Sequence, residues 1–66
     1  MNVSVNGEPR ALPGPLSLDA LVATVTAAPS GVAAAVNEAV VPRSQWPATV
    51  LADGDRVEIL TAVQGG

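Results

Sequence analysis

The first eight residues, Met1-Asn2-Val3-Ser4-Val5-Asn6-Gly7-Glu8, decide how the rest of the chain is read. Met1, Val3 and Val5 alternate with Asn2, Ser4 and Asn6, the period of two that gives a strand one apolar and one polar face. Asn6-Gly7 then supplies two residues that tolerate positive φ, as a type I′ turn requires at both central positions. The chain doubles back, and Glu8 to Leu12 is the expected return strand. Pro9 and Pro13 have no backbone N–H, so that strand belongs at a sheet edge or is short.

The next element is a helix. Ser17 is a good N-cap, and Asp19 puts negative charge where the helix dipole favours it. Leu16 and Leu21 occupy the two positions of a hydrophobic staple, while Ala20 leaves the reciprocal capping box incomplete. Leu18, Leu21, Val22 and Val25 fall on one face at helical spacing. Ala27-Ala28-Pro29-Ser30-Gly31 ends the helix, since Pro29 cannot continue its hydrogen bonds. Val32-Ala33-Ala34-Ala35-Val36 is ambiguous by composition, but its short length between Gly31 and Asn37 favours a buried strand.

Asn37-Glu38 reads as a tight turn into a short strand, Ala39-Val40-Val41, which Pro42 stops. Arg43 to Trp46 is expected to make one helical turn. Asp53-Gly54-Asp55 is a further turn, and Arg56 to Val63 the closing strand, with Val57 and Ile59 facing inward. A hairpin, a crossover helix and three more strands in 66 residues imply an α+β fold of the β-grasp type. Its mixed sheet of four to five strands would wrap one helix. The expected organisation is one domain over residues 1–63 and a flexible tail over 64–66.

Composition removes whole classes of function. The chain has no Cys and no His, so thiolate chemistry, a disulfide framework and the usual general base are all excluded. It also has no Lys, and therefore no side chain for a Schiff base. A self-sufficient enzyme is not expected, nor is a metal site. The hydrophobic fraction of 48% is almost all Ala, Val and Leu, with one Trp and no Phe or Tyr, which suits a thin core and leaves little for a cofactor pocket. A formal net charge of -3 provides no basic patch for nucleic acid. The N-terminus has neither a positive start nor a long apolar run, and Val32 to Val36 is too short to span a bilayer. A cytoplasmic protein, monomeric when free and not bound to membranes, is expected.

What remains is the terminus, Gln64-Gly65-Gly66. Glycines at a chain end can be merely frayed. They can also thread a channel too narrow for any Cβ and present an unhindered carboxylate. Fully extended, the last four residues reach roughly 13 Å, enough to enter a partner's active site. That carboxylate is ionised at neutral pH and has no good leaving group. Making it reactive takes an activating group such as AMP from ATP, and with no phosphate-cradling loop in the chain an external enzyme must supply it.

Other candidates have plainer readings beside functional ones. Trp46 is read as a core anchor. Arg43 either pairs with Asp53 or Asp55 or contacts a partner. Asp53-Gly54-Asp55 has too few oxygen ligands for a calcium loop. Leu60 and Ala62 lie outward near the tail, where a partner would grip it.

Val41-Pro42-Arg43-Ser44-Gln45-Trp46, the preceding Asn37, Asp53-Gly54-Asp55 and the closing Gly65-Gly66 together resemble the ThiS family, the sulfur carriers of bacterial thiamin biosynthesis. The resemblance spans the whole chain, and its specific part is the Val-Pro-Arg-x-x-Trp string. It implies that an adenylating enzyme activates Gly66 with ATP and a sulfur-delivery protein converts it to a thiocarboxylate. Thiazole synthase would then accept the sulfur, with Gly65 as the access residue. No cofactor would be bound by the chain itself. Ala-rich positions depart from the bulkier core residues common in that family.

Other readings stay open on the sequence. The small subunit of molybdopterin synthase shares the fold and terminus, although its tail usually carries aromatic and proline residues where this one has Thr61-Ala62-Val63-Gln64. A carrier for cysteine biosynthesis is another relative. A protein modifier joined through its terminus and an interaction module with incidental glycines are rivals of a different class.

Overall fold

The computed structural model describes residues 1–27 and 30–62. The elements follow the expected order. They are β1 (Asn2–Val5), β2 (Glu8–Ala11), α1 (Leu18–Val25), β3 (Val32–Val36), β4 (Ala39–Val41), a 3-10 helix (Arg43–Ala48) and β5 (Arg56–Thr61). The five strands form one sheet in the order β2-β1-β5-β3-β4. β1 and β5 run parallel at its centre, while β2 pairs antiparallel with β1, and β3 pairs antiparallel with both β4 and β5. This is the mixed sheet on one helix that characterises the β-grasp fold, with the proline-bearing strand β2 at an edge.

Both hairpin turns are set by their residues. Asn6 and Gly7 take φ of 52° and 83°, and Asn37 and Glu38 take 50° and 72°. All four lie in the left-handed region that type I′ turns use. Ser17 caps α1, its Oγ accepting from the Ala20 N–H at 3.1 Å, a contact generally worth about 1 kcal/mol. The entry to α1 is also tied across the molecule. Leu18 N–H donates to the Thr49 carbonyl at 2.7 Å and Leu51 N–H to that of Leu16 at 2.8 Å.

The helix buries Leu18, Leu21 and Val22 against Val3, Val5, Val57 and Ile59 of the central strands. Full burial of each leucine contributes about 1.5–3 kcal/mol. Trp46 is 2% exposed and is the core anchor expected of it. Its indole N–H donates to the Val41 carbonyl at 2.9 Å, so the ring is buried without orphaning its polar atom.

Several boundaries and faces differ from expectation. β2 ends at Ala11 rather than Leu12, which turns into the core. α1 stops at Val25, with the Thr26 N–H bonded to the Val22 carbonyl, ahead of the Ala27–Gly31 stretch expected to end it. Ala28 and Pro29 lie outside the described residues. Val25, expected on the buried face, is 38% exposed, because the last turn borders an opening between the helix and the β1–β2 hairpin. β3 is a strand, but only Ala34 in it is fully buried. The helix covers one face of the sheet, so Ala33 and Ala35 alternate onto the other. The turn begun by Arg43 runs on through Pro47 to Ala48. β5 ends at Thr61, and the expected extension to Val63 lies outside the described residues.

Candidate functional site

The candidate site is the C-terminal end of β5 and the sheet face beside it. β5 lies in the middle of the sheet, held by β1 on one edge and β3 on the other. Val57 and Ile59 face the core at 1% and 4% exposure, which leaves Arg56, Glu58 and Leu60 on the opposite, uncovered face. Leu60 is 70% exposed and stands opposite Ala33, while Val40, 77% exposed, stands opposite Ala35. Leu60, Ala33, Ala35 and Val40 therefore share one apolar face. Charge borders it, with Arg56 and Glu38 3.9 Å apart and Glu58 on β5 itself. That ion pair is exposed and contributes little to stability.

Just past Thr61, Ala62 N–H donates to the Gly31 carbonyl at 2.7 Å, so the β3 edge holds β5 to its last described residue. Gly31 has a φ of 73°, and a Cβ there would come within 3.2 Å of the Ala62 Cβ. Glycine suits this close approach at the exit of the strand. Gly65 and Gly66, the expected sulfur-bearing end, lie outside the described residues, as does the expected 63/64 boundary between body and tail.

The three expected partner contacts do not form one surface. Leu60 on β5 and Ala62 just beyond its end lie close together along the chain, whereas Arg43 lies on the helix side, beside Trp46, Asp19 and Val22. The guanidinium of Arg43 stacks over the Trp46 ring, 5.1 Å from its centroid. Arg43 does not pair with Asp53 or Asp55, whose carboxylates bond to other donors. Asp53 Oδ1 accepts from the Asn2 N–H at 2.6 Å. Asp55 accepts from the Ala52 N–H at 2.8 Å and from the Asn37 side chain at 3.0 Å. These bonds make 53–55 the turn that was expected. Among the described residues no group of three potential metal ligands comes together, and no helix is long and apolar enough to cross a membrane.

The contribution of Val40 to the uncovered face is invisible in the sequence, because it depends on the Ala35↔Val40 register. The side-chain bonds from Asn6 to Ile59 of β5 are equally non-local.

The sequence matches the ThiS family model over residues 3–66. The chain belongs to the ThiS family. The described fold agrees with that membership. The crystal structure of the thiamine biosynthesis protein ThiS from Geobacter metallireducens superimposes with a TM-score of 0.81 at 35% identity, covering 100% of both chains. Among curated relatives, this ThiS-family chain is 38% identical over 37 residues to the sulfur carrier protein ThiS of Escherichia coli, covering 56% of each. All 66 of its residues are also 35% identical to part of the thiazole synthase of Magnetococcus marinus, of which the chain spans 20%.

Proposed function

We propose that the chain carries sulfur for thiamin biosynthesis on the carboxyl carbon of Gly66. The carrying observation is the end-to-end match to a ThiS protein in a chain that closes on Gly65-Gly66. Elimination among side chains supports it. Without Cys, His or Lys, the molecule offers no thiol, imidazole or amine to hold sulfur, and the terminal acyl group is the place left.

The chemistry proceeds in two displacements. An adenylating enzyme joins the Gly66 carboxylate to the α-phosphorus of ATP, with pyrophosphate leaving. A sulfide-level sulfur from a delivery protein then attacks the acyl carbon, AMP leaves, and a thiocarboxylate remains. Thiazole synthase is the proposed acceptor, a reading supported by the Magnetococcus enzyme that contains a segment like this whole chain. The folded body acts as a handle, with the apolar face around Leu60 as the grip for the activating enzyme. Catalysis resides in the partners.

Intact-mass measurement after mixing the chain with ATP, an activating enzyme and a sulfur donor tests this. Exchange of one oxygen for one sulfur is expected. A covalent adduct with another protein would identify a modifier instead, and an unchanged mass would overturn the carrier reading. For the grip, Leu60→Glu is expected to lower kcat/KM for activation by about tenfold or more. Stability should change by no more than ~0.5 kcal/mol, because the side chain is exposed. Unaltered activation kinetics would remove Leu60 from the interface.

A further inference from the structure

We infer that Asn6 is a positioning residue that fixes the point at which the C-terminal segment leaves the sheet, an inference that rests on the carrier reading above. Along the β1 edge of β5, parallel-ladder bonds recur every two residues. Ser4 N–H donates to the Asp55 carbonyl at 3.0 Å, and Asn6 N–H to the Val57 carbonyl at 2.9 Å. The next main-chain groups on that edge belong to Ile59. By then β1 has ended, and the chain has turned away at Asn6-Gly7.

The Asn6 side chain takes over there. Its Oδ1 accepts from the Ile59 N–H at 2.8 Å, and its Nδ2 donates to the Ile59 carbonyl at 3.1 Å. A primary amide has the donor and acceptor arrangement of a peptide group, so one side chain adds a rung that the backbone no longer supplies. Both bonds are partly buried, where leaving a backbone group unmet is costly.

Asn37 does the corresponding work at the other end of β5. It exchanges backbone and side-chain bonds with Arg56, its N–H donating to the Arg56 carbonyl at 2.7 Å and its Oδ1 accepting from the Arg56 N–H at 2.9 Å. The two ends differ in their place along the chain. Arg56 begins the strand, while Ile59 lies three residues before Ala62, from which four residues lead to the reacting carbon. Asn6 makes the last bonds on the β1 edge, at Ile59, and the Gly31 carbonyl makes the last on the other edge, at Ala62. A carboxylate that must meet ATP inside another protein gains from a fixed origin, because reactivity falls steeply with misplacement.

Two variants separate this role from the turn. Asn6→Gly keeps the positive φ but deletes the amide, and Asn6→Asp keeps the φ and the acceptor but loses the donor. Amide hydrogen exchange on the free protein is the first readout. For Asn6→Gly, exchange at Ile59 is expected to accelerate about tenfold beyond any change at Val57 and Ala34, while for Asn6→Asp it stays near wild type. The second readout is steady-state thiocarboxylate formation with the chain as varied substrate. The expected kcat falls about tenfold for Asn6→Gly and less for Asn6→Asp, with KM within about twofold of wild type.

Uniform acceleration at all three amides would make Asn6 a merely structural residue and overturn the inference. So would an unchanged kcat, or a rise in KM alone, which would mark direct contact with the partner. If the wild-type chain forms no thiocarboxylate, the carrier reading fails instead. The exchange data then still decide whether Asn6 holds Ile59.

Discussion

A chain ending at Gly65 is expected to fold like the full-length protein and to form at least ~10²-fold less thiocarboxylate. Every buried hydrophobic residue of the described core lies between Val3 and Ile59, and the strand pairing ends with Val32↔Thr61. Removing Gly66 therefore touches no described contact, and the expected change in stability is ~0.5 kcal/mol or less. The chemistry is affected differently. One residue less shortens the reach by about 3.3–3.6 Å, whereas reacting atoms must be held within about 3–3.5 Å of each other and a 1 Å misplacement can cost ~10²-fold. A terminal glycine carboxylate still exists in the shortened chain, so the experiment tests its position and not merely its presence. Thermal unfolding and intact mass after activation, measured on the same sample, decide the matter. A truncated chain that still supports thiazole formation would show that Gly66 does not bear the sulfur.

The second large effect concerns the body. Trp46→Ala should destabilise the fold by about 3–5 kcal/mol, the usual result of emptying a core aromatic site. In this core Trp46 is the largest side chain, and no Phe or Tyr is present to fill the space. The substitution also leaves the Val41 carbonyl without its indole donor and removes the surface on which Arg43 stacks. At roughly 0.05–0.15 kcal/mol per residue, a domain of this length has only about 3–10 kcal/mol in total. The variant should therefore be partly or wholly unfolded at room temperature, as urea titration followed by circular dichroism would show. Trp46→Phe retains most of the volume, leaves only a partly buried carbonyl unmet, and should cost less, ~1–3 kcal/mol. An alanine variant within ~1 kcal/mol of wild type would mean that the 3-10 helix is dispensable to the core.

Much of this architecture is legible before folding is considered, because it rests on preferences that act over a few residues. Asn6-Gly7 and Asn37-Glu38 announce their turns, Ser17 its helix, and the alternation of Val3 and Val5 its strand. The inward pair Val57 and Ile59 comes from the same period of two. The Val-Pro-Arg-x-x-Trp string and the closing glycines likewise point to the ThiS family. Other outcomes depended on how the folded segments are placed against one another. Arg43 lies over Trp46, while the carboxylates of Asp53 and Asp55 bond to Asn2, Ala52 and Asn37. Val25 emerged into solvent because the sheet does not cover the last turn of α1.

The kinds of element, their order and the chemical poverty of every group except the terminus were thus written in the residues themselves. Those properties belong to single positions and short spacings. Chain folding was needed to place Leu60 and Val40 on a shared face, to set Arg43 apart from them, and to bring Asn6 across to Ile59. Each of these depends on strand register between segments separated by up to 53 residues, and one residue of slip would turn every side chain of a strand to the opposite face.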